Sequence, residues 1–303
     1  MVCERGRNDI ISSNLNESLT NPEQFLVKAG EQVQLSERPT QSPDFSLTRS
    51  EARKSLRDCV DVLALLQHRL YAENSRSMLL IFQGMDASGK DSTIRRVTTG
   101  LNPAGVQVHA FGMPTEQDFA NSYLSRHWDR LPTRGQIGIH NRSHYEEVTV
   151  TRVHPNLLRS RGLSLGDIND DFWRERYEDI RAFERHVARQ SHTTIIKFFL
   201  HISKDEQRNR LLERLDDPEK NWKLDNSDIR ERTYWDDFQA AYNDAISATS
   251  TEWAPWYVIP ADQKRFARLA VAEVLAARLS AMDPQFPKPH ADFESARHEL
   301  MRS

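Results

Sequence analysis

Nine consecutive residues, Gly84-Met85-Asp86-Ala87-Ser88-Gly89-Lys90-Asp91-Ser92, put two glycines, a lysine and two carboxylates into one short stretch. Loops of the form G-x-x-x-x-G-K-[ST] wrap an anion in backbone N–H groups, add a lysine, and end in a hydroxyl that serves magnesium. Gly84, Gly89 and Lys90 keep that frame, but Asp86 lies inside it and Asp91 takes the hydroxyl position. Two carboxylates repel a polyanion unless positive charge lies between. The plainer reading is a turn with a surface lysine, since aspartate is common in turns and in the first turn of a helix.

A second group, Asn141-Arg142-Ser143-His144-Tyr145-Glu146-Glu147, follows about fifty residues later. An arginine there can grip a phosphate in a planar fork. Ser143 and Glu146 also match the S-x-x-E capping box, which would make them a helix start. His140, His144 and His154 read as packing or surface groups rather than nucleophiles. In a third group, Arg210 and Arg214 stand four apart on one helix face, with Leu211, Leu212 and Leu215 on another and Lys223 beyond. Between Ser203 and Arg232 eight Lys/Arg face nine Asp/Glu, so the segment is not a basic run. By itself it reads as a solvated helical hairpin; beside a phosphate loop it reads as a lid that closes over phosphates.

The elements that must carry these groups are legible as alternation. MLLIFQ, VQVHAF, QIGIHN, TTIIKFFLHI and PWYVIP are strand candidates, and helical spacing fills the gaps. Such alternation predicts βαβ units: a three-layer α/β/α fold with a parallel sheet of about five strands. The loop then joins strand MLLIFQ to helix DSTIRRV, so Lys90 opens a helix whose N–H groups and dipole favour phosphate. Arg142 falls at the same carboxyl edge of the sheet. Leu56, Val60, Leu63, Leu66 and Leu70 form one helical stripe ahead of the first strand. Residues 1–45 read as a polar arm, 46–283 as the folded domain with a lid at about 203–235, and 284–303 as a tail.

The 303 residues suffice for a sizeable core. A net charge of −3 speaks against a general nucleic-acid or membrane binder. Cys3 and Cys59 alone suggest neither a disulfide framework nor a zinc site. With no signal-like start and no membrane-length apolar run, the expectation is a soluble protein of the cytoplasm.

GMDASGKD, HNRSHYEEVTVTRVHP, SKDEQRNRLLERLDDPEKNWKL and YWDDFQAAYNDAISATSTEWAPWYVIPADQK resemble, in order and spacing, the motifs of the polyphosphate kinase 2 family over about residues 48–283. The resemblance implies a P-loop kinase core with a helical lid, moving phosphoryl groups between inorganic polyphosphate and nucleoside mono- and diphosphates with Mg2+, in a homo-oligomer. It implies catalytic roles for Asp86, Lys90, Arg142 and Arg210. Phosphate and nucleotide contacts would come from Gly84, Met85, Ala87, Ser88, Gly89, Asp91, Ser92, Asn141, Glu146, Arg214 and Lys223. Asp86 would face the metal, with Glu146 as a second metal candidate. Asn141 and Tyr145–Glu147 look like the subgroup acting on both mono- and diphosphates, where other members more often show Asp-Arg and Tyr-Asn-Arg. The alternative is an ATP-dependent nucleoside-monophosphate kinase, which shares loop and lid but would keep the loop hydroxyl.

Overall fold

The computed structural model describes residues 19–223, 225–289 and 292–303. Its centre is strand β2, Ser77–Gln83, all seven residues buried. A strand buried on both faces reads as a continuous apolar run, as MLLIF does. The sheet order is β1-β6-β5-β2-β4-β3, with β1 Leu26–Val27, β3 Val106–Ala110, β4 Ile137–Asn141, β5 Thr193–His201 and β6 Trp256–Pro260. All pairings are parallel except β1 on β6. The five expected strands are present. Sequence reading missed β1, because two residues inside a polar stretch offer no period to detect.

Helix α1, Arg49–Glu73, starts at a capping box formed by Thr48 and Glu51 and ends at Asn74 in the left-handed region. Of its expected stripe, Val60, Leu63, Leu66 and Leu70 are buried and Leu56 is partly so. Helix α2, Lys90–Val97, follows the glycine-lysine loop. Helix α3, Asp170–Gln190, precedes β5 and packs on it. After β5 come α4, Lys204–Asp216, α5, Asn226–Glu231, and α6, Trp235–Thr249. Helix α7, Lys264–Met282, packs on α1 and α2, while α6 packs on α3, giving two helical groups about the sheet.

Residues 19–45 are not a loose arm. Phe25, Val27, Val33 and Leu35 are buried in the main core. Glu273 of α7 accepts from the backbone N–H of Leu19 at 3.1 Å and of Thr20 at 3.0 Å. Residues 1–18 of the expected arm lie outside the described residues. The start of the tail is docked as well: the Gln285 N–H donates to Glu73 at 3.0 Å, and Phe286 stands edge-on to His68.

Candidate active site

In the sheet register, Phe82 pairs with both Asn141 and Phe198, so β2 and β4 end within one residue of each other while β5 runs two residues beyond the end of β2. The glycine-lysine loop leaves β2 at that edge, beside the turn that leaves β4. Gly84 has φ 149°, and a Cβ there would come within 2.8 Å of the Leu200 carbonyl oxygen and Ser88 Oγ, so only glycine fits. Gly89 (φ 101°) caps α2 in the left-handed region, and Ala87 adopts φ 61°. The Lys90 ammonium is buried under the loop, donating to the carbonyls of Gly84 at 2.7 Å and Met85 at 3.3 Å. Burial, with the Arg142 charge nearby, pushes its pKa down to about 8. Ser88 Oγ is buried without a hydrogen-bond partner, which is uncommon for a buried hydroxyl.

Arg142 also sits in the left-handed region, at φ 63°, a strained backbone for a side-chain-bearing residue. That conformation belongs to a turn whose guanidinium reaches Asp86 at 3.0 Å and Glu146 at 3.7 Å. Both carboxylates therefore share one cation across the mouth of the loop. Burial pushes the Glu146 carboxyl up, against the pull of Arg142 and Lys90. The expected capping box does not form here. The Ser143 hydroxyl accepts from the Tyr145 N–H, and the segment is a 3-10 turn, His144–Glu147, leaving Glu146 free to face Arg142. Asn141 donates to Asp91 at 2.6 Å, joining the end of β4 to the start of α2.

Gly84, Met85, Asp86, Arg142 and Glu146 line one cavity of about 400 Å³. Its far wall was not anticipated from sequence: His154, Gln207, Asp228, Glu231, Phe238 and Tyr242. Phe238 and Tyr242 stand four apart on α6, on one helix face. Gln207 donates to the Asp86 carbonyl at 3.1 Å, and His154 Nε2 lies 2.7 Å from Glu231 on α5. His140 and His144 are buried away from the cavity, in keeping with a packing role.

Arg210 departs from expectation. The sequence suggested a solvated lid arginine, yet the residue is only 5% exposed. Its guanidinium donates to the carbonyls of Ala87 (3.0 Å) and Ser88 (2.7 Å) in the loop, and to those of Ala261 (2.5 Å) and Asp262 (3.1 Å) after β6. Glu206 accepts its Nε. Its planar fork thus braces the back of the loop, because α4, capped by Ser203, passes behind it. Arg214 pairs with Asp228 at 3.0 Å, and Ser92 Oγ is 3.4 Å from Arg268. Lys223 ends a 3-10 turn, and its side chain lies outside what the structure describes.

A magnesium ion takes hard oxygen ligands and keeps waters and substrate phosphates in its shell, so one or two carboxylates suffice. Among the described residues no group of three or more His, Cys, Asp or Glu could cage a metal. Asp86, in the loop and on the cavity wall, fits that sparse requirement. Glu146 is near enough to share it, though Arg142 already engages both.

The family model Polyphosphate kinase 2 (PPK2) matches residues 46–287. An ADP-polyphosphate phosphotransferase of Rhodopseudomonas palustris is 46% identical over 266 residues, 88% of this chain and 92% of that protein. An AMP/ADP-polyphosphate phosphotransferase of Meiothermus ruber is 49% identical over 232 residues, 77% of this chain and 82% of that protein. The crystal structure of Polyphosphate Kinase 2 from Arthrobacter aurescens TC1 superposes with a TM-score of 0.85 at 36% identity, covering 94% of this chain and 98% of that one. With a strand-loop-helix turn of glycines and a lysine opening on a carboxylate-arginine cavity, and with this match along most of its length, the chain belongs to the polyphosphate kinase 2 family.

Proposed function

We propose that this chain is a phosphotransferase that moves phosphoryl groups between inorganic polyphosphate and nucleotides, accepting both mono- and diphosphates of adenosine and guanosine. The observation that carries the proposal is the Lys90 loop opening onto the cavity where Asp86 and Glu146 share Arg142. A donor phosphate on the loop and an acceptor phosphate in the cavity would meet over Asp86. Lys90 and Arg142 would offset the charge gathering on the transferring group, the electrostatic contribution expected of fixed donors in a water-poor site. Transfer is direct and in line, with no phosphoryl-enzyme, and Arg210 keeps the loop in shape. Asp86, with help from Glu146, would hold Mg2+, which when bound neutralises phosphate oxygens.

AMP, ADP, GMP and GDP, each incubated with polyphosphate and magnesium, test the reading. Formation of di- and triphosphates supports it. Products only when ATP replaces polyphosphate would point instead to an ATP-dependent nucleoside-monophosphate kinase. The same proposal includes a cytoplasmic location and a homo-oligomer, supported by the family resemblance. Light scattering on purified protein and cell fractionation check these two points.

A further inference from the structure

The turn that carries Arg142 and Glu146 is anchored from behind by a buried charged network. Tyr145 is fully buried, and its hydroxyl donates to Glu184 of α3 at 2.8 Å. The same oxygen accepts from Lys197 of β5 at 2.8 Å and lies 3.0 Å from Thr249 Oγ1 at the end of α6. Lys197 also donates to Glu184 at 2.6 Å and to the Thr249 carbonyl at 2.8 Å. His144, the neighbouring residue of the turn, approaches at 3.4 Å the Glu184 Oε1 that Tyr145 also engages, and its ring lies beside that of Tyr145. Three elements therefore converge on the phenol oxygen that the turn contributes. None of these side chains reaches the cavity.

A buried ion pair is an expensive way to fill a core, since well-packed apolar residues of similar volume are often as stable or more so. Directional hydrogen bonds supply what apolar packing does not: a fixed height and rotation for the turn. That need is acute here, because Arg142 holds φ 63° and must meet two carboxylates on different segments. We infer that Tyr145, Lys197 and Glu184 are positioning residues, which set the Arg142–Glu146 turn against the phosphate loop. The inference rests on the phosphate-handling role of that turn.

Tyr145→Phe removes the shared hydroxyl and keeps the ring, and it is made alone and together with Arg142→Lys. Turnover of ADP with polyphosphate is expected to fall roughly 10-fold or more, the scale of a misplaced reacting geometry, with melting shifted only slightly. In the Arg142→Lys background the same change should cost little more, because both act through one geometry. The double substitution Glu184→Gln with Lys197→Met, which leaves no unpaired buried charge, should give the same pattern and serves if Tyr145→Phe folds poorly. Unchanged turnover, or equal fold losses in both backgrounds, would overturn the inference. Lys90→Ala run in parallel separates the two ideas. If it retains turnover the phosphate-loop reading itself falls; if it is inactive while the Tyr145 effects are additive, only the positioning role falls.

Discussion

Lys90→Met should make the protein slightly more stable while removing its activity, because the ammonium is buried without a carboxylate in hydrogen-bond contact. Its pKa lies at about 8 against the ordinary 10.5, a gap that corresponds to about 3 kcal/mol of penalty on the folded state wherever the lysine is charged. Methionine removes that penalty but leaves the Gly84 and Met85 carbonyls without this donor, at about 1 kcal/mol each. The net expectation at pH 7 is a gain of about 1 kcal/mol. The sign reverses with pH. The unfolded chain holds this proton up to the usual lysine range and the folded chain loses it above 8, so the wild type gains stability from pH 8 upward and the variant does not. Urea unfolding at pH 7 and 9.5 should show the difference between variant and wild type falling by about 2 kcal/mol, enough to change its sign. Turnover should drop at least ~10²-fold. A pH-independent difference, or a folded variant with near wild-type turnover, would refute the reasoning.

Asp86→Asn should lower turnover and move the magnesium titration midpoint; an unchanged midpoint at normal rate removes Asp86 from the metal's surroundings. Arg210→Lys should melt early, costing on the order of 3 kcal/mol, because one ammonium cannot bridge carbonyls on two segments as the guanidinium does. Loss of turnover with unchanged melting would instead give Arg210 a role on the phosphates. Glu146→Gln should shift the ratio of AMP to ADP turnover several-fold with melting unaffected, since no capping box depends on it; an unchanged ratio counts against an acceptor-side role. In kcat/KM profiles, activity should fall as pH rises through about 8, where Lys90 of the free protein loses its proton; a flat profile up to pH 10 would contradict this.

The middle of the sheet was legible because its central strands are buried on both faces, so apolar runs such as MLLIF and IIKFFL stand out from polar connections. The loop was legible because its glycines answer local backbone demands, shown by the 2.8 Å contact a Cβ at Gly84 would make. Arg210 was misjudged for the opposite reason. Apart from Glu206 one turn away, its partners are four backbone carbonyls, which leave no trace in side-chain patterns, and its helix is polar enough to pass for a solvated one. Glu146 was ambiguous by local spacing alone; its nearness to Arg142 depends on a left-handed residue that no propensity favours for arginine. The cavity's far wall came from residues 154 to 242, brought together only by tertiary folding.

The antiparallel pairing of β1 with β6 also affects how the chain is made. Leu26 and its partner Tyr257 are 231 positions apart (257 − 26). At about 5–20 residues per second on a ribosome, Leu26 and Val27 wait roughly 10–50 s for the strand that receives them. Phe25 and Val27, buried in the finished core, are exposed to solvent and to chaperones for that interval. The parallel sheet through β5 can assemble meanwhile with its β6 side still open, an edge able to recruit a stray strand. Late arrival of β6 thus closes the sheet and retrieves the beginning of the chain in one step. Translation pauses between β5 and β6 would prolong the vulnerable state more than pauses elsewhere.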